Sequence, residues 1–225
     1  MSASLRQRTA PGRRHRAPAR RPAALAVALA GTLAGTLAAG IARADAERYA
    51  LDPAHTSVAF LIGHVGFAKV IGRFDEVAGS FAFDPDTGAL SELRVTIATA
   101  SVDTGHAGRD EHVRNADFLD VRRHPEMVFE AETTVSSADG ESGGGAGTSG
   151  TLEGTLALLG ETRPIALEYT LNKAADYPFG HGDFTLGVSL RGTLARSDWG
   201  MDYGVADGLV GDEVELLIET EANRR

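Results

Sequence analysis

Ser101-Val102-Asp103-Thr104-Gly105, continuing through Arg109-Asp110-Glu111-His112 to Asp117-Phe118, carries more charge than a link between two strands normally does. Before it, Leu93, Val95 and Ile97 alternate with polar residues; after it, Met127, Phe129, Ala131 and Val135 fall on one side of the next run. Period-two alternation marks half-buried strands, so the stretch is a long crossing between two of them. Arg109 to Phe118 holds no Gly, no Pro and a single β-branched residue, Val113. That composition predicts a short helix of about two to three turns inside the crossing. Hairpin links are usually about two to five residues, which sets this crossing apart.

Outward from it, the same alternation recurs. Val58, Phe60 and Ile62 share a face that His64 continues, and Phe74 to Phe83 ends in the turn Asp84-Pro85-Asp86-Thr87-Gly88. Leu90 to Asp103 and Glu126 to Ser136 flank the crossing. Leu152, Leu156 and Leu158 form one stripe, Gly160-Glu161-Thr162 turns into Ile165, Leu167, Tyr169 and Leu171, and Phe184, Leu186, Val188 and Leu190 alternate strictly. Val214, Leu216 and Ile218 form the last run. About eight turn-linked strands predict an all-β chain, an antiparallel sheet closed into a barrel; a two-sheet sandwich is the competing arrangement. Ala138 to Gly150 reads as a Gly/Ser-rich hairpin tip. Ala174 to Asp183 reads as a loop whose Tyr177, Pro178, Phe179 and His181 either cover an apolar opening or pack on the rim.

Residues 1–44 have a different character. Eight arginines and no acid precede Asp45, and an Ala/Leu/Gly run from Ala23 ends in Ala42-Arg43-Ala44. This reads as a secretory signal peptide with a long basic front and an A-x-A cleavage site. An uncleaved anchor is the rival, since the run approaches the roughly 18 apolar residues of a span, but its Gly and Thr content disfavours that. The domain is then 45–225, exported to the periplasm and without stable membrane insertion after cleavage. It keeps 22 − 8 = 14 basic residues against 31 acidic, a formal net charge of −17. Such a surface repels nucleic acid and anionic headgroups, so no nucleic-acid partner is expected. The chain has no cysteine, so packing alone must hold it together.

Direction and parity place the polar residues. If strands alternate up and down, those ending at His64, Asp103, Glu161 and Arg196 finish at one end, together with the crossing and the loop of Trp199. Both spacers fall at the other. His64 follows Phe60 and Ile62, Asp103 follows Val95 and Ile97 through Thr99 and Ser101, and Arg196 follows Val188 and Leu190 through Leu194. All three therefore continue inward stripes, provided no bulge shifts the register. The ordinary outcome is an Asp103–Arg196 pair near Arg109 and His64 that plugs the barrel end. The sharper one is a polar head site above an apolar tube, for which an eight-stranded barrel has room. Ala59, Ala82, Ala131, Gly154, Ala157 and Gly187 are read as inward small residues that leave space.

No catalytic motif is present: there is no HExxH, no GxSxG and no phosphate-cradling glycine loop. His106 and His112 do not have a zinc spacing, so no metal is expected, and Ser57 near His55 is an ordinary juxtaposition. Asp110 lies two residues before His112, a spacing that points the two to different sides of a helix.

The ordered pieces Tyr49-Ala50-Leu51-Asp52, His55-Thr56-Ser57-Val58-Ala59-Phe60, Gly72-Arg73-Phe74, Ser101-Val102-Asp103-Thr104, Arg109-Asp110-Glu111-His112, Asp117-Phe118, Pro125-Glu126-Met127-Val128-Phe129 and Arg196-Ser197-Asp198-Trp199-Gly200-Met201 resemble the YceI-like family of exported bacterial proteins. The resemblance covers Tyr49 to about Glu219. It implies a lipocalin-like barrel whose elongated cavity holds a polyisoprenoid, quinone or similar long-chain apolar lipid, with stress response or lipid carriage as the physiological role. The family's leucine and serine after the histidine are Val113 and Asn115 here. The cavity candidates are Phe60, Ile62, Val95, Phe129, Leu156, Leu167 and Leu186. The rim candidates are His64, Phe67, Asp103, Arg109, Phe118, Arg196 and Trp199. The expected partner is the lipid itself, with no other cofactor and with a homodimer left open. The acidic surface favours a neutral head group, a quinone or free isoprenoid. An enzyme acting on an isoprenoid lipid, with His64 as acid or base, is the alternative.

Overall fold

The computed structural model describes residues 46–85, 87–134 and 147–225. The expected leader, and the Gly/Ser-rich spacer up to residue 146, lie outside the described residues. The strands are β1 (Glu47–Leu51), β2 (Ser57–His64), β3 (Ala68–Phe74), β4 (Val77–Phe83), β5 (Ala89–Ala98), β6 (Val102–Asp103), β7 (Glu126–Thr134), β8 (Ser149–Leu158), β9 (Glu161–Asp176), β10 (Phe184–Ala195) and β11 (Val210–Arg224). One α-helix, α1 (Ala107–Val113), lies in the crossing.

These eleven segments make eight barrel strands. β1 and β2 both pair with β11, through Tyr49↔Arg224 and Val58↔Ile218, and are one strand interrupted by the 3-10 turn Pro53–His55. Pro53 has no N–H to give a ladder, and Asp52 caps the turn by accepting the Ala54 N–H at 2.9 Å. β3 and β4 break at 75–76 opposite the 3-10 turn Thr99–Ser101 that separates β5 from β6. Across that break the Ala98 and Asp75 amides still donate to Glu76 and Ser101 at 3.0 and 3.2 Å. Every strand therefore pairs with its predecessor, and the last pairs with the first. This is a closed, eight-stranded, up-and-down antiparallel barrel, and closure leaves no edge to cover.

The crossing end carries the 65–67 hairpin tip, residues 104–125, the Leu159-Gly160 turn and the 196–209 loop; the termini end carries both described chain ends, the Asp84 turn and the 177–183 loop. That division is the one expected from strand alternation. At the termini end Tyr177, Phe179 and His181 pack on one another, with ring centroids 5.1 and 4.5 Å from Tyr177, and none of them lines the interior.

Register shifts occur between Gly187 and Val188, between Val210 and Val214, and at two further places that decide which side chains face inward. Glu92 takes a φ of 53° in a bulge, so Leu90 and Leu93, three residues apart, both face inward. The Thr99–Ser101 turn does the same between β5 and β6: Val102, fully buried, takes the inward place and Asp103 turns out. The helix is shorter than expected. After Val113 the Asn115 carbonyl accepts from both Phe118 and Asp120 N–H groups, which folds the chain back before Phe118.

Candidate functional site

The barrel is hollow. A cavity of about 610 Å³ runs from Leu51, Phe83, Leu171 and Leu186 at the termini end to His64, Val65, Tyr203 and Leu209 at the crossing end. Phe60, Ile62, Val95, Leu216 and Ile218 point inward yet are only half-buried, because part of each faces this lumen. A volume of this size is within the usual range for small-molecule sites, about 300–1,000 Å³. Two glycines help to keep it clear. A Cβ on Gly72 would lie 2.2 Å from Phe60 Cζ, and one on Gly154 2.5 Å from Phe129 Cζ, so each ring lies against a bare stretch of wall.

The floor is apolar. Tyr49 stacks on Phe81 with centroids 5.3 Å apart and meets Phe83 edge-on at 6.4 Å, packed with Leu51, Leu171, Leu186 and Ala222. The Tyr49 hydroxyl donates to Glu47 at 3.0 Å; burial and that neighbour push its pKa up to about 12.

The mouth is framed by two buried charges. Arg196 is 1 % exposed, and its guanidinium donates to four carbonyls: Gly211 at 2.7 Å, Met201 at 2.6 Å, Tyr203 at 2.7 Å and Val210 at 3.1 Å. It also lies 5.7 Å from the Phe118 ring centroid. Burial pushes its pKa down while Asp212 and Asp202 push it up, and a guanidinium stays charged throughout. Asp110 accepts from the Thr104 amide at 2.8 Å and hydroxyl at 2.6 Å. Those two bonds, with Arg114 and Arg109 nearby, hold its carboxyl below the usual range against the opposing effect of burial. Arg109 donates from Nε and Nη2 to Thr104 Oγ1 and O, both at 2.7 Å, leaving Nη1 outside these bonds. About the opening His112 meets Phe118 and Tyr203 edge-to-face and those two rings tilt against each other, with centroids 5.0 to 5.3 Å apart. Among the described residues no carboxylate lines the cavity.

Phe60, Ile62, His64, Val95, Arg109, Phe118, Phe129, Leu156, Leu167, Leu186 and Arg196 all line this one space, from strands far apart in sequence. Three candidates do not. Phe67 is 91 % exposed at the hairpin tip, carried there by a turn with Val65 and Gly66 at φ 50° and 71°. Trp199 is buried, 3 % exposed, but its Nε1 donates to the Leu156 carbonyl at 3.1 Å and its ring packs in the wall outside the lumen. Asp103 pairs with Arg73 at 2.9 Å on the outside, so the expected Asp103–Arg196 pair is not formed. The 3-10 turn before Val102 is the cause. Of the six small residues, Gly154 lies beneath the Phe129 ring and Ala131 is buried in the core, but none of the six lines the lumen directly; Ala59 lies between inward Val58 and Phe60.

Sequence reasoning missed Thr104, Asp110, His112 and Tyr203. Arg109, His112 and Val113 all reach the cavity and are spaced i, i+3, i+4, one helix face, which is the signal that was available for His112.

The family model described as a YceI-like domain matches residues 49–222. The chain belongs to the YceI-like family. A UPF0312 protein of Pseudomonas aeruginosa is 35 % identical over 187 residues, covering 81 % of this chain and 90 % of that protein. The crystal structure of a YceI protein from Campylobacter jejuni is 29 % identical with a TM-score of 0.61, covering 72 % of this chain and 90 % of that one. A polyisoprenoid binding domain from Saccharophagus degradans shares the fold, with a TM-score of 0.55 at 15 % identity, covering 79 % of this chain and 98 % of that one. Within this YceI-like barrel the Arg109–His112 helix and the Arg196 loop together form the rim.

Proposed function

We propose that the protein is a periplasmic lipid-binding protein that holds one polyisoprenoid, quinone or similar long-chain lipid along its lumen, with the head group at the crossing end. The supporting observation is the polarity of the cavity. Its wall from Phe83 to Leu194 is apolar apart from the hydroxyl-bearing Thr56, Thr148, Tyr169 and Thr220, whereas His64, Arg109, His112 and Tyr203 gather at one mouth. Covering a few hundred Å² of an apolar chain contributes about 5–10 kcal/mol before the cost of ordering it. The Saccharophagus neighbour, a polyisoprenoid binding domain, fits this chemistry.

The donors at the mouth suit a head group with acceptor oxygens. The acidic exterior disfavours an anion approaching from outside, but that argument does not extend into a mouth lined by no carboxylate among the described residues. Export rests on Ala42-Arg43-Ala44, and N-terminal sequencing of the periplasmic protein is expected to begin at Asp45.

Native mass spectrometry of protein purified from its own host is expected to show one bound lipid-sized mass. Val95→Trp, which puts bulk into the lumen, is expected to abolish uptake of polyprenol and quinone by a folded barrel, and His64→Ala to weaken it modestly. Absence of uptake by the wild type at micromolar lipid sinks the proposal. Unchanged binding with lost lipid conversion in His64→Ala would instead establish the enzyme.

A further inference from the structure

Away from the lumen, three side chains meet on the outer wall where the first and last strands close the barrel. Asp52 follows β1 and caps the 3-10 turn, His55 ends that turn, and Glu221 lies on β11 between the cavity-lining Thr220 and Ala222. His55 Nδ1 is 2.8 Å from Asp52 Oδ2 and 3.7 Å from Glu221 Oε2, and the three donor atoms all lie within 4.8 Å of one another. We propose that Asp52, His55 and Glu221 form a site for one divalent transition-metal cation of the zinc class, which ties the closing seam of the barrel.

Several independent features support this. The Glu221 side chain is 31 % exposed, yet its Oε2 is shielded from solvent, makes no hydrogen bond and has the His55 imidazole 3.7 Å away as its ion-pair contact. A shielded carboxylate oxygen that lacks a hydrogen bond is costly, and a cation removes that cost. Asp52 is held in place beforehand: its Oδ1 caps the turn through the Ala54 N–H, and its own N–H donates to the Glu221 carbonyl at 2.8 Å. That leaves Oδ2 to point at the site. The donor set is one imidazole nitrogen and two carboxylate oxygens, which suits zinc and its neighbours better than magnesium or calcium. Zinc bonds of about 2.0–2.1 Å in a tetrahedron put donors about 3.3 Å apart. The separations from His55 lie on either side of that distance, so small side-chain rotations suffice. The exposed side of His55 leaves the fourth position to water.

The location gives the cation a role. β1 pairs with β11 over residues 49–51 and β2 resumes the pairing at Ser57↔Glu219. Between them the ladder is interrupted, and the triad spans the interruption.

The test uses untagged protein stripped with a chelator and titrated with ZnCl2, CaCl2 or MgCl2. A 1:1 zinc complex is expected by native mass spectrometry. At zinc near a hundredfold excess over Kd, the melting temperature is expected to rise by about 5–10 °C. His55→Gln and Glu221→Gln are expected to lose that rise, and His106→Asn, at the far end of the barrel, to keep it. In wild-type protein, Co2+ is expected to broaden the NMR signals of the His55 ring ahead of the other histidines, which decides the matter even if a variant fails to fold. No 1:1 complex, a rise retained in both site variants, or Co2+ broadening of other histidines first would overturn the proposal. The triad would then be an imidazolium bridging two carboxylates. An equal rise with Ca2+ or Mg2+ would overturn the zinc-class assignment.

Discussion

At the termini end the barrel is closed by stacked rings, Tyr49 on Phe81 with Phe83 against its edge. At the crossing end the frame is built from Arg196 and Asp110, both buried; Arg196 is satisfied by backbone carbonyls, and Asp110 by the amide and the hydroxyl of Thr104. The contrast follows from what each end must do. Apolar rings need no particular partner and seal by packing. A buried charge must find all its hydrogen bonds, so it fixes the loops that supply them and holds an opening at a set width. Arg196 fixes the loop from Met201 to Gly211, and Asp110 fixes the start of the crossing at Thr104. The opening lies between these two fixed loops.

The largest effect is expected at Arg196. Arg196→Met leaves four carbonyls without a donor, and urea unfolding should show a loss of about 3–5 kcal/mol. A loss below 1 kcal/mol would mean that water replaces the guanidinium and that the loop does not depend on it. At the opposite end Phe83→Ala is expected to cost about 3–4 kcal/mol, with little change at the mouth, so the His112 and Tyr203 resonances should stay in place. Movement of those signals would show the two ends to be coupled.

Asp110→Asn comes next. It retains the shape but weakens two bonds from Thr104, at about 1–3 kcal/mol at neutral pH. Because the carboxyl pKa is lowered on folding, its contribution is present above the ordinary value of 3.8 and is lost as pH falls below it toward the folded value. Wild type should therefore lose stability below about pH 4 more steeply than Asp110→Asn; parallel acid-unfolding curves would remove Asp110 from the frame. The smallest effect is expected for Asp103→Ala. Its partner Arg73 is exposed, so the pair and the bond to the Gly105 amide together contribute at most about 1 kcal/mol. A loss as large as that of Arg196→Met would restore Asp103 to the interior.

Those two residues show how far parity carries. Arg196 was legible because Val188, Leu190 and Leu194 keep one register as far as the strand end. Asp103 was not, because Thr99 to Ser101 forms a 3-10 turn that looks like continued alternation in the sequence. Phe67 likewise reads as a rim residue, and only the turn through Val65 and Gly66 carries it to solvent.

The sequence by itself determined the number of strands, their up-and-down order, the end at which the crossing lies and most of the apolar wall. Those properties follow from local alternation and from turn residues, which act over a few positions. Tertiary structure alone decided what satisfies each charge. Arg196 is held by carbonyls 5 to 15 residues away in a folded-back loop, and Glu221 meets Asp52 and His55 because the last strand closes on the first. Such pairings depend on closure of the whole barrel, and no local pattern in the chain encodes them.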